Sequence, residues 1–251
     1  MIVVLGLLSC KVGFASDAAT ASYLFSKNLY TDCDIVSKND PTSFKSLVFV
    51  KKTSVETFDR RINKRKPTKV FRFNATFENA RKIKIHVNRE FKSENKAEKQ
   101  ALKYGKMVGQ LPNFLRKNIK TVTIHKGNKP WGGGYNDILI HTGDTGAKGK
   151  CGEEVMMHES GHTSLDWAFG GSIKSTKWKK AAKADNIFIS KYAQQFPGRE
   201  DVAETINWWI AVRCKPDTIS KLNYKKILEG IPNRLKYLDE QNYDTYPLVC
   251  K

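Results

Sequence analysis

The stretch EEVMMHESGHTSLDWAFGG, Glu153 to Gly171, carries two of the chain's five histidines. His158 and His162 are four residues apart, and Glu159 lies between them. Four residues advance a helix by about 400°, so the two imidazoles project from one face, one turn apart. Two neutral nitrogens so placed can bind one Zn2+. Glu159, one residue along, stands beside such an ion, where its carboxylate can hold a water and take its proton during attack on a carbonyl. The competing reading is an amphipathic helix with two exposed histidines. Against it, Val155, Met156, Leu165, Trp167 and Phe169 predict a buried helix. Gly161 costs such a helix about 1 kcal/mol relative to alanine and therefore needs a reason.

A third ligand must come from elsewhere. Leu165 and Ala168 stand where a downstream glycine and a third histidine would be required. Asp166, further along the same helix, suits a hydrogen bond better than a coordination position. In YAQQFPGREDVAETINWW, Glu200 and Glu204 are again four apart, on one face of a second helix. Glu200 could present a carboxylate to the zinc, and Glu204 could accept the free N–H of a ligand histidine. The ordinary alternative is that acidic residues favour the first turn of any helix.

HExxH followed by E-x-x-x-E on a second helix resembles the gluzincin zinc metallopeptidases. The stretch from His158 to Ile210 is most similar to the catalytic domain of the anthrax lethal factor family. Its matching features are HESGH, an aspartate and an aromatic shortly after it, Tyr-Ala ahead of the second motif, and EDVAET with its apolar, aromatic continuation. The resemblance implies zinc on His158, His162 and Glu200, Glu159 as general base, and Glu204 as a carboxylate behind a ligand histidine. It makes Tyr192, which is offset from the family's spacing, the phenol that stabilises the oxyanion or helps the leaving group.

These residues need elements to position them. From SFKSLVFVKK to KIKIHVN the pattern is short and alternating, with KVFRFNATF the clearest strand. Ser93 predicts an N-cap for a helix through ENKAEKQALKYGKMVGQ, and Pro112 opens a helical turn in LPNFLRKN. KTVTIHK and DILIHTG read as strands around the breaker-rich loop GNKPWGGGYN. The HESGH helix is expected to close at Gly170 and Gly171. Helices follow in STKWKKAAKA, in REDVAETINWWIAVRC, and in TISKLNYKKILEGIPNRLKYL with a break at Pro232. Strands first and helices later predict an α+β protein. The resemblance narrows this to a zincin-like fold, with a β-rich N-terminal part and a helical C-terminal part. No linker-like stretch divides it, so residues 16–251 are expected to form one domain. YNDILIHTG is the expected edge strand, along which an extended peptide could pair, with an ordinary core strand as the alternative. His125 and His141 read as structural, and Trp131, Trp178, Trp208 and Trp209 as packing residues.

MIVVLGLL is an apolar run of signal-peptide size, and KVGFAS carries the small residues Gly13 and Ala15. Residues 1–15 are therefore expected to be a secretory signal, with a buried first strand as the alternative. Cys10 would leave with it. Cys33, Cys151, Cys214 and Cys250 then predict two disulfides in an exported protein. Cys151–Cys214 is the expected tie between the two ligand-bearing helices, and Cys33–Cys250 that between the chain ends. Asn74 in NAT is the one glycosylation sequon. No later stretch approaches the length of a membrane span.

The formal net charge is +19, with clusters in RRINKRKPTK, ARKIK and KSTKWKKAAK. Such a field favours acidic glycans, acidic proteins or anionic surfaces, while no motif accompanies it that would specify nucleic acid. The expected function is a secreted zinc-dependent metallopeptidase acting on peptide or protein substrates. The alternative is a catalytically silent, secreted basic binding protein of the same fold that docks on acidic glycans.

Overall fold

The computed structural model describes residues 22–26, 35–79, 81–147 and 151–250. The expected signal segment at 1–15 and Cys33 lie outside them. A short strand, β1 (Ser22–Phe25), precedes a long antiparallel hairpin of β2 (Phe44–Asp59) and β3 (Lys64–Phe77), and β4 (Lys82–Asn88) turns back along β3. Helix α1 (Glu94–Gln110) begins where the Ser93 side chain accepts the Lys96 N–H, as its type predicts. The single turn α2 (Asn113–Arg116) follows Pro112. β5 (Thr121–His125) runs parallel to β4, and β6 (Gly132–Gly134) and β7 (Asp137–His141) complete a six-stranded sheet of order β2-β3-β4-β5-β7-β6.

The helical part contains α3 (Gly152–Ser164), α4 (Ser175–Asp185), α5 (Lys191–Gln195), α6 (Asp201–Cys214), α7 (Lys221–Gly230) and α8 (Pro232–Asp239). One strand interrupts it: β8 (Ile187–Ser190) pairs in parallel with β1. The protein is thus mixed α+β. No helix among the described residues is long and apolar enough to cross a membrane.

Alternation along the strands builds the core. Phe71, Phe73, Ala75 and Phe77 of β3, Ile83, Ile85 and Val87 of β4, Val122 and Ile124 of β5, and Ile138 and Ile140 of β7 are all buried. They belong to one hydrophobic cluster with Ala97, Ala101 and Val108 of α1 and Val155 and Met156 of α3. Each large side chain so buried contributes about 1.5–3 kcal/mol. His125 and His141 stack within the sheet with ring centroids 5.4 Å apart, and Trp131, Trp178, Trp208 and Trp209 are buried.

Three expectations need correction. The loop GNKPWGGGYN contains a strand, β6, and β6 is the edge strand on this side of the sheet. YNDILIHTG supplies β7, which is internal because β5 flanks it on one side and β6 on the other. A run of glycines has no side chains to alternate and so gives no strand signal. Second, the HESGH helix stops at Ser164. Asp166 accepts the Ala168 N–H and opens a separate 3-10 turn at Trp167–Phe169, ended by Gly170 at φ 78°. Trp167 and Phe169 are consequently only half-buried.

Third, Cys214 bonds Cys250, so neither Cys151–Cys214 nor Cys33–Cys250 forms. The reason lies in how the two helices cross. α3 and α6 run antiparallel, with Asn207 Nδ2 donating to the Glu154 carbonyl at 3.0 Å. Cys214 is about 10 Å of helix beyond Asn207, whereas Cys151 is only about 4.5 Å before Glu154. The α6 terminus overshoots, and the C-terminal segment meets it instead. Cys151 is disulfide-bonded as well.

Candidate metal centre

Helix α3 is buried almost throughout, which removes the exposed-histidine reading. His158 is 4% exposed and His162 6%. Gly161 explains how the second helix approaches. A Cβ there would lie 3.2 Å from Ala203 Cα and 3.3 Å from Ile206 Cγ2, so the glycine lets α6 pack directly on α3. That contact brings Glu200, the residue just before α6, onto the histidine face of α3.

Three ligand-capable atoms converge there. His158 Nε2 and His162 Nε2 are 3.2 Å apart. Glu200 Oε2 is 3.3 Å from the first and 3.1 Å from the second. Two imidazole nitrogens facing each other share at most one proton, so hydrogen bonding alone does not hold such a triangle. A tetrahedral ion with bonds of 2.0–2.1 Å needs ligand separations of about 3.3 Å, which these atoms meet. Among the described residues, these three form the group of histidine and acidic side chains able to hold a metal ion.

The far nitrogens of both imidazoles face carboxylates, the arrangement that orients metal-bound histidines. His162 Nδ1 lies 3.5 Å from Asp166 Oδ2, as the position of Asp166 suggested. His158 Nδ1 lies 3.5 Å from Glu204 Oε1 and, although buried, makes no hydrogen bond. Glu204 is itself fixed by Ser190, whose hydroxyl donates to Oε2 at 2.7 Å.

The electrostatics call for a cation. Burial disfavours a charged His162, yet the carboxylates of Asp166, Glu200 and Glu159 override it and raise its pKa to about 10. Burial likewise opposes ionisation of Glu200, but the His158 and His162 rings hold its pKa well below the usual carboxylate range. Glu204 moves upward, chiefly through burial. Four carboxylates thus surround two imidazoles, and a divalent ion is a natural counter-charge.

Glu159 is the half-exposed member of the motif and faces a cleft of about 470 Å³. Its Oε2 accepts the Gly133 N–H from edge strand β6 at 2.5 Å. The strand approaches so closely that a Cβ on Gly133 would lie 1.8 Å from the Glu159 carbonyl oxygen. Only glycine fits at Gly133, the middle residue of the GGG run. Thr163 secures the next position by accepting the Gly134 N–H at 3.1 Å.

All six chemistry-bearing residues expected from the sequence, His158, Glu159, His162, Tyr192, Glu200 and Glu204, line this one cleft. Tyr192 OH donates to Glu200 Oε1 at 3.1 Å, and burial raises the phenol's pKa. Arg199 was not foreseen. Its Nε donates to the same Glu200 oxygen at 2.8 Å and its Nη2 reaches Tyr192 OH at 3.4 Å. One oxygen of Glu200 is thereby engaged, and the other is left to the histidines. Gly133 and Arg60, also in the cleft, gave no signal beyond a glycine run and a basic cluster. Asn74 lies outside it, half-buried in mid-strand between Val48 and Lys84. Comparison with protein-family models, curated proteins and solved structures found no match to this chain.

Proposed function

We propose that this chain is a secreted zinc metallopeptidase of the gluzincin kind, related to the lethal factor catalytic domain, with a zincin-like fold and peptide or protein substrates. The observation that carries this reading is the triangle of His158 Nε2, His162 Nε2 and Glu200 Oε2, with sides of 3.1–3.3 Å, beside Glu159 in an open cleft. Two imidazoles and one carboxylate are a donor set of catalytic zinc, and these residues would hold it. When bound, the ion supplies a Lewis acid that acidifies water and polarises a carbonyl.

The chain's own residues carry the proton and hold the parts in place. Glu159 takes a proton from water and returns it to the leaving amine; the Gly133 N–H fixes one of its oxygens and leaves the other for that exchange. Glu204 and Asp166 keep the imidazoles turned toward Glu200. Tyr192 is assigned to the developing oxyanion, for which its hydroxyl must leave Glu200. A disulfide at Cys214–Cys250 fits an oxidising compartment and supports export.

The test is zinc content per chain together with casein cleavage in the presence and absence of a chelator. Glu159→Gln should retain the zinc and lose cleavage, because a carboxamide cannot take a proton. Equal cleavage by variant and wild type would remove Glu159 from the mechanism. Zinc without any cleavage, combined with retention on heparin, would favour the silent binding protein.

A further inference from the structure

We infer that Arg60 makes the cleft select an acidic side chain, close to the cleaved bond where the bound peptide is a substrate. The cleavage part rests on the peptidase reading, and the recognition part does not. Arg60 belongs to the turn joining β2 to β3, far in sequence from the metal-centre residues, yet it lines the same cleft. The turn folds back onto the edge of the sheet. A Cβ on Gly132 would lie 2.4 Å from Arg60 Nη2, so the guanidinium rests against the backbone of β6 in the space that this glycine leaves open. The neighbouring residue anchors the turn. Arg61 reaches Asp59 at 2.8 Å and Glu90 at 2.7 Å.

Arg60 differs from Arg61 and from every other charge in the cleft. Glu200 and Glu204 face the histidines, Arg199 is paired with Glu200, and Glu159 accepts from Gly133. Asp144 uses both oxygens on the backbone, accepting the Gly146 N–H at 2.9 Å and the Trp131 N–H at 3.3 Å. Among the charged residues that line the cleft, the Arg60 guanidinium alone has no hydrogen-bond or ion-pair partner, and it is exposed. It is thus a planar five-donor cation with its binding capacity free, held at the mouth of a cleft.

Adjacent glycines tie this cation to the chemistry. Gly132 carries Arg60 and Gly133 carries Glu159. An extended peptide advances about 3.3 Å per residue, so a peptide in contact with Glu159 presents to Arg60 a side chain within about two residues of that point. A carboxylate there completes a charge-assisted, two-point hydrogen bond, whereas a lysine or arginine meets like charge. The ligand class is therefore a peptide with aspartate or glutamate near the metal centre.

The experiment uses the zinc-loaded full chain and fluorogenic peptides that differ only in aspartate or lysine, placed in turn at each position flanking the cleaved bond. Wild type should prefer aspartate at one position by about 10–100-fold in kcat/KM, the size of one charged hydrogen bond. Arg60→Ala should level that preference and Arg60→Glu should invert it, with zinc content and thermal unfolding unchanged. No preference at any position, or a preference that Arg60→Glu leaves intact, would overturn the inference while leaving the peptidase reading standing. If no peptide is cleaved, the peptidase reading falls, and fluorescence anisotropy of the same peptides decides the recognition. Tighter binding of the aspartate peptide that Arg60→Glu reverses supports it, and equal binding by the two proteins overturns it.

Discussion

Replacing Gly161 by alanine should separate the two helices that share the candidate metal site, and the cost should fall on metal affinity more than on the fold. The new methyl would sit 3.2 Å from Ala203 Cα and 3.3 Å from Ile206 Cγ2. Carbon atoms pack best at about 3.5–4.0 Å, so the helices must move apart by about 0.3–0.5 Å. Two effects oppose each other in the metal-free protein. Alanine favours the helix by about 1 kcal/mol, and overpacking costs about 1–3 kcal/mol. The net loss of stability is therefore between zero and about 2 kcal/mol. The ligand triangle is less tolerant. His158 and His162 ride on α3 and Glu200 on the start of α6, while metal–ligand distances hold to about 0.2 Å. Zinc affinity should drop by about 10–100-fold, the loss typical of disturbed ligand orientation. At a fixed excess of zinc, the stability that the ion adds then shrinks by about 1.4–2.7 kcal/mol. Urea unfolding with and without zinc, combined with competition against a chromophoric chelator, separates the two terms. If zinc stabilises Gly161→Ala as much as wild type, the helix contact does not set the ligand spacing.

Other outcomes follow from the same geometry. Glu200→Ala should abolish stoichiometric zinc binding, whereas Glu204→Ala or Asp166→Ala should weaken it by about 10–100-fold in chelator competition; the reverse order would assign the wrong glutamate to the metal. Arg199→Ala should lower zinc affinity without emptying the site, since it frees the second oxygen of Glu200; unchanged affinity would refute that positioning role. The metal-free protein should lose stability on acidification. Burial, aided by Arg72 and Lys84 at His86 and by His141 and Arg61 at His125, lowers both imidazole pKa values to about 4. Unfolded histidine binds its proton near pH 6.5, so this stability is whole above that value and is lost as pH falls toward 4, by about 2 kcal/mol per histidine between pH 7 and 5. Urea midpoints at the two pH values check this, and His86→Gln should flatten the slope.

Most of the candidate metal site was legible because its signals are local. His158 and His162 share a face by helix periodicity, and Glu200 and Glu204 repeat that spacing at the start of a second, almost wholly buried helix. Gly161 stood out as a cost that needed a reason, and the structure supplies it in the close contact with Ala203. The strands with alternating patterns, above all β3, and the cap at Ser93 were equally local. Asp166 illustrates the limit of such reading: its role beside His162 was visible, but its power to end α3 and start a new turn depends on which backbone N–H it captures.

What escaped is set by pairing between distant segments. Strand β6 consists of three glycines with no side-chain pattern, and its identity as the edge follows from the need to pass against Glu159 where a Cβ would collide. The strand was hidden by the same absence of side chains that makes it fit. Cysteine pairing failed for a related reason. The expected Cys151–Cys214 bond presumed that helices sharing a metal also bring their ends together, yet the antiparallel crossing at Gly161 and Ala203 carries Cys214 past the start of α3 and toward Cys250. The register of the ligands is therefore held by a glycine contact and by the hydrogen bond from Asn207 to Glu154, with no covalent link between the two helices. Reduction of Cys214–Cys250 should accordingly leave zinc affinity nearly unchanged while loosening the C-terminal segment. A chelator competition under reducing conditions that shows zinc lost in step with that bond would mean that the disulfide, and not the helix contact, holds the site together.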